Sequence, residues 1–242
     1  MFPRRSAVLS RRRNSPRAKA DCRKLLGVEL LETRRLLATT SFGGGVLTVL
    51  GGGGNETINV SRTTSGIIKV NGANVNVNGA ALRVSQTRSI VVDGRAGNDT
   101  ITINDANGRM PKATLKGSAG NDTLVGSAAG DKLLGGFGND VLNGRGGYDQ
   151  VFGEAGLDTL MWNAGDSSDL LEGGADADTL QILGSAAADN FALSANVDRI
   201  VLSHNLSSFL NVNDVETVGL TAAGGADSIN ITSPAEIGRA HV

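Results

Sequence analysis

The sequence predicts an all-β protein: a parallel β-roll or β-solenoid of stacked nonapeptide repeats, flanked by further β-rich segments. Three observations carry that prediction. Between residues 117 and 161, five consecutive blocks of nine begin with glycine, at positions 117, 126, 135, 144 and 153. They read GSAGNDTLV, GSAAGDKLL, GGFGNDVLN, GRGGYDQVF and GEAGLDTLM. A period kept over such a stretch without slip means one structural unit stacked on copies of itself. Every block also has aspartate in sixth place and an aliphatic residue in eighth. Finally, glycine supplies 34 of 242 residues, aromatics 3% and hydrophobic residues 40%. That is too apolar for simple disorder, yet it lacks the aromatic mass of an ordinary globular core.

In chain order, residues 1–40 read as a basic export-type segment. Positions 1–38 hold eleven Lys and Arg against three acids, whereas the rest of the chain holds twelve against twenty-one. An acidic body suits a cation-binding module and excludes nucleic acid as the expected partner. Leu26, Leu30 and Leu37 fall near one helical stripe with Val28 and Leu31 beside it, which predicts a short amphipathic helix over 25–38. Glu29 and Glu32 interrupt the apolar run, so it is neither a transmembrane span nor an ordinary signal-peptide core. The string LETRRLLA at 31–38 resembles an N-terminal motif of very large exported bacterial surface proteins. That resemblance implies an extracellular or cell-surface location, and Ala38 followed by Thr39, Thr40 and Ser41 suits processing.

Residues 41–93 form a β-rich leading region. GVLTVL, ETINV, GIIKVNG, NVNVNG, ALRVSQ and SIVVDG alternate apolar with small polar residues and end in glycine or asparagine turns. The roll is expected over 94–192 and a β-rich trailing region over 193–235, with strands in NFALSA, RIVLS, FLNVND, ETVGLT and SINIT. The lone tryptophan, Trp162, is expected as a core plug beside the roll. Residues 236–242 (EIGRAHV) break the pattern and resemble one reading frame of a sequencing-library adapter, so a non-native tail is expected there.

Within a block, glycine in first and fourth place is expected to take positive φ, which costs other residues about 1–2 kcal/mol. Such turns leave carbonyls pointing outward, where a cation can gather them. The aspartates Asp122, Asp131, Asp140, Asp149 and Asp158 add hard oxygen ligands, of which calcium takes about six to eight. After each comes a three-residue strand whose middle side chain (Leu124, Leu133, Leu142, Val151, Leu160) faces inward. If two nonads complete one coil, Asp122, Asp140 and Asp158 stack about 4.8 Å apart. Adjacent unit charges at that spacing repel by about 1 kcal/mol in bulk water and several-fold more near a protein surface. The ladder therefore favours folding only with cations between its rungs, and the roll is expected to be largely disordered without calcium.

The blocks resemble the haemolysin-type (RTX) calcium-binding nonapeptide, Gly-Gly-x-Gly-x-Asp-x-aliphatic-x. The resemblance implies Ca2+ as the bound ion, held between turns two repeats apart. It pairs Asp122 with Asp140, Asp140 with Asp158, and Asp131 with Asp149. It also implies main-chain carbonyls of the turns as ligands, here those of Gly117, Ala119, Gly135, Phe137, Gly144, Gly146, Gly153 and Ala155, and it adds Asp99 from the copy at 94–102 (GRAGNDTIT). That copy is separated from the array by residues 103–116. Other copies depart further: 51–59 has Glu56 for aspartate, and 126–134 has Ala129 for the fourth glycine. Blocks 173–181 and 184–192 have Asp176 and Ala187 in that same place, and 222–230 lacks the leading glycine. These outliers are expected to be degenerate turns.

Catalytic vocabulary is sparse. The chain has no His-Glu-x-x-His helix, Gly-x-Ser-x-Gly elbow or Walker loop. His204 is expected at the surface or in a turn, and Cys22 stands alone in the leader, so disulfides cannot hold the body together. The favoured function is therefore non-enzymatic: a calcium-stabilised structural or adhesive module of an exported bacterial protein. Calcium ions and components of a cell surface or matrix are its expected partners. A second reading, the repeat region of a secreted hydrolase whose catalytic domain lies outside this sequence, stays open, as does a metal-free β-solenoid.

Overall fold

A computed structural model describes residues 38–196 and 199–232. The predicted helix over 25–38 up to its last residue, most of the export-type segment and the tail 236–242 lie outside the described residues.

Two sheets of mostly parallel strands make the roll. In the first, Val46–Leu50, Ser89–Ala96, Ala113–Ala119, Lys132–Phe137, Gln150–Ala155 and Leu170–Ala175 lie side by side, followed by Ser208–Asn213. In the second, Thr57–Arg62, Thr100–Asn104, Thr123–Val125, Val141–Asn143, Thr159–Asn163, Thr179–Leu183 and Thr217–Thr221 do the same. The chain alternates between the sheets, so two nonads complete one coil, as the spacing predicts. Leu115 pairs with Leu133 and Leu133 with Val151, while Leu124 pairs with Leu142 and Leu142 with Leu160.

The eighth-place residues are what hold the sheets together. Val49, Val92, Leu115, Leu133, Val151, Leu171 and Val212 form one inward column, and Ile58, Ile101, Leu124, Leu142, Leu160 and Leu180 form the other. All are fully or almost fully buried and belong to a single core. Burying each such side chain contributes about 1.5–3 kcal/mol.

The three-residue strand expected after every aspartate holds on one side only. The second sheet has it in Thr123–Val125 and Val141–Asn143, though Thr159–Asn163 runs to five residues, and strands of the first run to six, as in Lys132–Phe137 and Gln150–Ala155. The reason is that the next block's first three residues stay paired from coil to coil, Ser118 with Gly136 and Gly136 with Glu154. Identical backbone shapes stacked in register bond to one another even where they leave ordinary strand geometry.

Insertions leave the coil without breaking the register. The strands of 41–93 stack in the same register as those that follow, Leu47 beside Ile90, Ile90 beside Ala113 and Ile58 beside Ile101. Short antiparallel strands at Ile68–Val70 and Ala73–Asn74 leave this first coil as a side branch. At the far end, Asn190–Asn196, Arg199–His204 and Ser208–Asn213 form an antiparallel meander. Trp162 plugs the core there as expected: it is 1% exposed, and its indole N–H donates to the Ser167 carbonyl at 3.1 Å. His204, expected at the surface or in a turn, ends the strand Arg199–His204 just before a turn but is not at the surface. It is buried between Trp162 and Phe191, with ring centroids 5.4 and 4.9 Å away, and its Nε2 lies 2.8 Å from Asp189 Oδ1.

Candidate metal centre

The turns owe their shape to glycine, at the expected fourth place but not at the expected first. Positive φ occurs at the second and fourth positions of a block. Examples are Ser118 and Gly120 (84° and 125°), Gly136 and Gly138 (118° and 121°), and Glu154 and Gly156 (79° and 127°). Arg95 with Gly97, Arg145 with Gly147, and Gly174 with Asp176 repeat the pattern. First-place glycines do not share this conformation; they are needed for space. A Cβ on Gly117 would lie 2.6 Å from the Gly135 carbonyl oxygen and strike Asp122 Oδ2. One on Gly135 would lie 2.6 Å from the Gly153 carbonyl and strike Asp140 Oδ2, and Gly144 and Gly153 meet Asp149 and Asp158 in the same way. The strained second place yields a prediction. Replacing Glu154, at φ 79°, with glycine is expected to raise unfolding stability by about 1 kcal/mol, read as a denaturant midpoint shift at constant slope.

Stacking these turns makes two ladders of carboxylates. In the first, the Asp99 N–H donates to Asp122 Oδ1 at 2.6 Å, Asp122 to Asp140 at 2.7 Å, and Asp140 to Asp158 at 2.8 Å. Asp158 continues it to Asp178 at 2.8 Å, and glutamates finish both ends, Glu56 donating to Asp99 and Asp178 to Glu216. In the second, Asp131 donates to Asp149 Oδ1 at 2.7 Å and Asp149 to Asp169 at 2.8 Å. A column of fifth-place asparagines runs beside the first ladder: Asn98 donates to Asn55, Asn121 to Asn98, Asn139 to Asn121, and Leu157 to Asn139.

Each carboxylate thus spends one oxygen on the coil before it. The other oxygen of Asp99, Asp122, Asp140, Asp149, Asp158 and Asp178 is buried and has no hydrogen-bond partner. An anion so placed titrates high. Burial is the main cause in every case, offset in part by the backbone N–H each accepts. It pushes Asp99 and Asp178 up to about 6, Asp140 to about 7 and Asp149 to about 8. Neighbouring rungs push the same way, Asp158 and Asp122 on Asp140, and Asp169 and Asp131 on Asp149. Asp169 rises to about 7, and Asp122, Asp131 and Asp158 are also raised, again chiefly by burial.

The structure stacks all three predicted pairs, Asp122 with Asp140, Asp140 with Asp158, and Asp131 with Asp149, and draws Asp99 into the first ladder because the insertion before residue 113 loops outward. Of the predicted carbonyls, those of Gly135, Gly144 and Gly153 face the space at the first glycine of the preceding coil. Those of Ala119, Phe137 and Ala155 accept the N–H groups of Gly97, Gly120 and Gly138 at 2.8–2.9 Å, leaving each one further lone pair. Gly146 packs near Ala128. Sequence reading missed Asp178 and Asp169. Asp178 was visible as the sixth residue of GGADADTLQ behind a non-glycine fourth place. Asp169 follows Ala164 rather than a glycine, so its block carries no opening signal.

These donors suit calcium. They are all oxygen, anionic and buried, and an orphaned carboxylate oxygen lies against the first glycine at Gly94, Gly117, Gly135, Gly144, Gly153 and Gly173, with a carbonyl of the next coil beside it at Gly117, Gly135 and Gly153. Among the described residues no group of three or more His, Cys, Asp or Glu side chains converges on one point, so main-chain carbonyls must supply much of the coordination.

Comparison with known families agrees with this geometry. The model of the RTX calcium-binding nonapeptide repeat (4 copies) matches residues 114–142, 125–160 and 163–181. No curated protein matches the chain.

Proposed function

We propose that this roll, whose central coils are RTX calcium-binding nonapeptide repeats, takes up calcium along its turns. It would serve as a calcium-stabilised structural or adhesive module of an exported bacterial protein. One observation carries the calcium assignment: six buried carboxylate oxygens without a partner, repeated coil after coil. A buried charge costs several kcal/mol unless it is paired, and no arginine or lysine reaches these oxygens. The ligands are Asp99, Asp122, Asp140, Asp149, Asp158 and Asp178, with carbonyl oxygens of first-place glycines such as Gly135, Gly144 and Gly153. Ions bridging successive rungs offset the repulsion along the ladder and tie each coil to the next.

Export and a surface setting are supported by the LETRRLLA string and the acidic body. Extracellular calcium is abundant enough to fill weak sites. No helix among the described residues is long and apolar enough to cross a membrane.

Calorimetric titration of the chain with calcium tests the assignment. Multiple sites are expected, and Asp140→Asn is expected to weaken two neighbouring sites, because that carboxylate faces a rung on either side. Absence of calcium uptake by the unsubstituted chain would leave a metal-free solenoid. Loss confined to one site in the variant would contradict the shared rung.

A further inference from the structure

Two turns of the roll close differently from the others. Residues 126–131 and 184–189 both read Gly-Ser-Ala-Ala-x-Asp, and neither contains a residue at positive φ. In the first, Ser127 donates its N–H at 2.7 Å and its hydroxyl at 2.9 Å to Asp131 Oδ2. The same hydroxyl accepts the Ala129 N–H at 3.2 Å, while Asp131 Oδ1 accepts the Ala113 N–H at 2.6 Å. In the second, Ser185 donates its N–H to Asp189 Oδ2 at 2.6 Å and its hydroxyl to Oδ1 at 3.0 Å, and accepts the Ala187 N–H at 3.1 Å. Neither aspartate is among those with an orphaned oxygen.

Serine in second place is not sufficient for this closure. Block 117–125 also has one, Ser118, but its fourth residue is Gly120; Ser118 sits at φ 84° and its hydroxyl turns away to Asp93 Oδ1 at 3.1 Å. Alanine in fourth place makes the difference, since its Cβ disfavours the left-handed conformation that opens the other turns. Denied that shape, the backbone folds inward and delivers two serine donors to the carboxylate. An oxygen already holding two donors is a poor cation ligand, because the ion must displace both bonds and leave their donors buried without acceptors.

From these bonds we infer that Gly-Ser-Ala-Ala-x-Asp is a calcium-excluding turn, in which serine occupies the carboxylate oxygen that calcium takes elsewhere in the roll. Asp131 and Asp189 then fasten their coils without an ion, one inside the array and one at its far end. This inference rests on the calcium assignment above and divides the turns into two classes that a family match does not separate.

Counting calcium ions bound by the full chain decides it, with calcium chloride as titrant. The double variant Ser127→Gly, Ala129→Gly restores Gly-Gly-x-Gly-x-Asp and is expected to bind one ion more than the unsubstituted chain. Asp131→Asn, which keeps an acceptor for the Ala113 N–H, is expected to leave the number unchanged. A lower number for Asp131→Asn, with the β circular dichroism signal intact, overturns the inference, and so does a double variant that gains no ion. If the unsubstituted chain binds none, the calcium assignment itself fails, and that outcome is distinct from either of these.

Discussion

Raising the pH of the chelated chain from 5 to 8 lowers its melting temperature, and calcium reverses the trend. Burial holds Asp140 at about 7, Asp169 at about 7 and Asp149 at about 8, whereas an unfolded aspartate titrates near 3.9. A carboxyl whose folded value lies above its unfolded value binds its proton more tightly in the fold. Its contribution is therefore complete below about pH 4 and is lost as pH rises toward 7–8. Ionising even one such rung costs a few kcal/mol, on the order of 10 °C in melting temperature for a roll of this size. Calcium binds the ionised ladder, and each site held at a hundredfold excess over its Kd returns about 2.7 kcal/mol. Thermal melts at pH 5 and pH 8, with calcium and with chelator, give four values. The expected order places chelator at pH 8 lowest and calcium at pH 8 well above it, with calcium making little difference at pH 5. Equal stabilisation by calcium at both values would show that these carboxylates are not where the ion binds.

Gly135→Ala is expected to damage the array severely for a single added methyl group. Its Cβ would sit 2.6 Å from the Gly153 carbonyl oxygen while striking the Asp140 carboxylate, so it overpacks the turn and displaces two oxygens assigned to the ion. Overpacking alone costs about 1–3 kcal/mol; loss of a shared ion adds to it. Gly146→Ala provides the matched control, because its nearest neighbour, the Ala128 α-carbon, would lie 3.7 Å away, an ordinary contact. A melt of the two variants in saturating calcium should show Gly135→Ala far below Gly146→Ala. Similar melting temperatures would mean that the first-place glycine is not held by packing against the aspartate.

The coil and its core were legible because they rest on period alone. Leucine or valine in eighth place at a fixed spacing of nine has to stack once two nonads make a coil, and Leu124, Leu142 and Leu160 do so. The sixth-place ladder was legible for the same reason. Conformation within the turn was not, since Gly135 and Gly138 look alike in a sequence although one is required for space and the other for positive φ. Asp178 and Asp169 were obscured by insertions that lengthen the coil from 18 to 20 residues, which a strict nine-residue count reads as the end of the array. His204 was misplaced because its partner, Asp189, lies across a meander whose pairing depends on packing around Trp162 and Phe191.

Every rung of the first ladder points the same way: the donor is the backbone of one coil and the acceptor is the side chain of the coil that follows it in sequence. The two ends of the stack are therefore not equivalent under truncation. Along this ladder, cutting coils from the N-terminal side removes donors and frees carboxylate oxygens, which water or another ion can serve; the asparagine column beside it loses acceptors instead, but at the exposed surface. Cutting from the C-terminal side strips acceptors from a buried N–H in the new last coil, which has no such recourse. Length is thus more easily trimmed at the front of this stack than at the back, and the end cap that matters most is Glu216, which accepts the Asp178 N–H where the aspartates of the series run out.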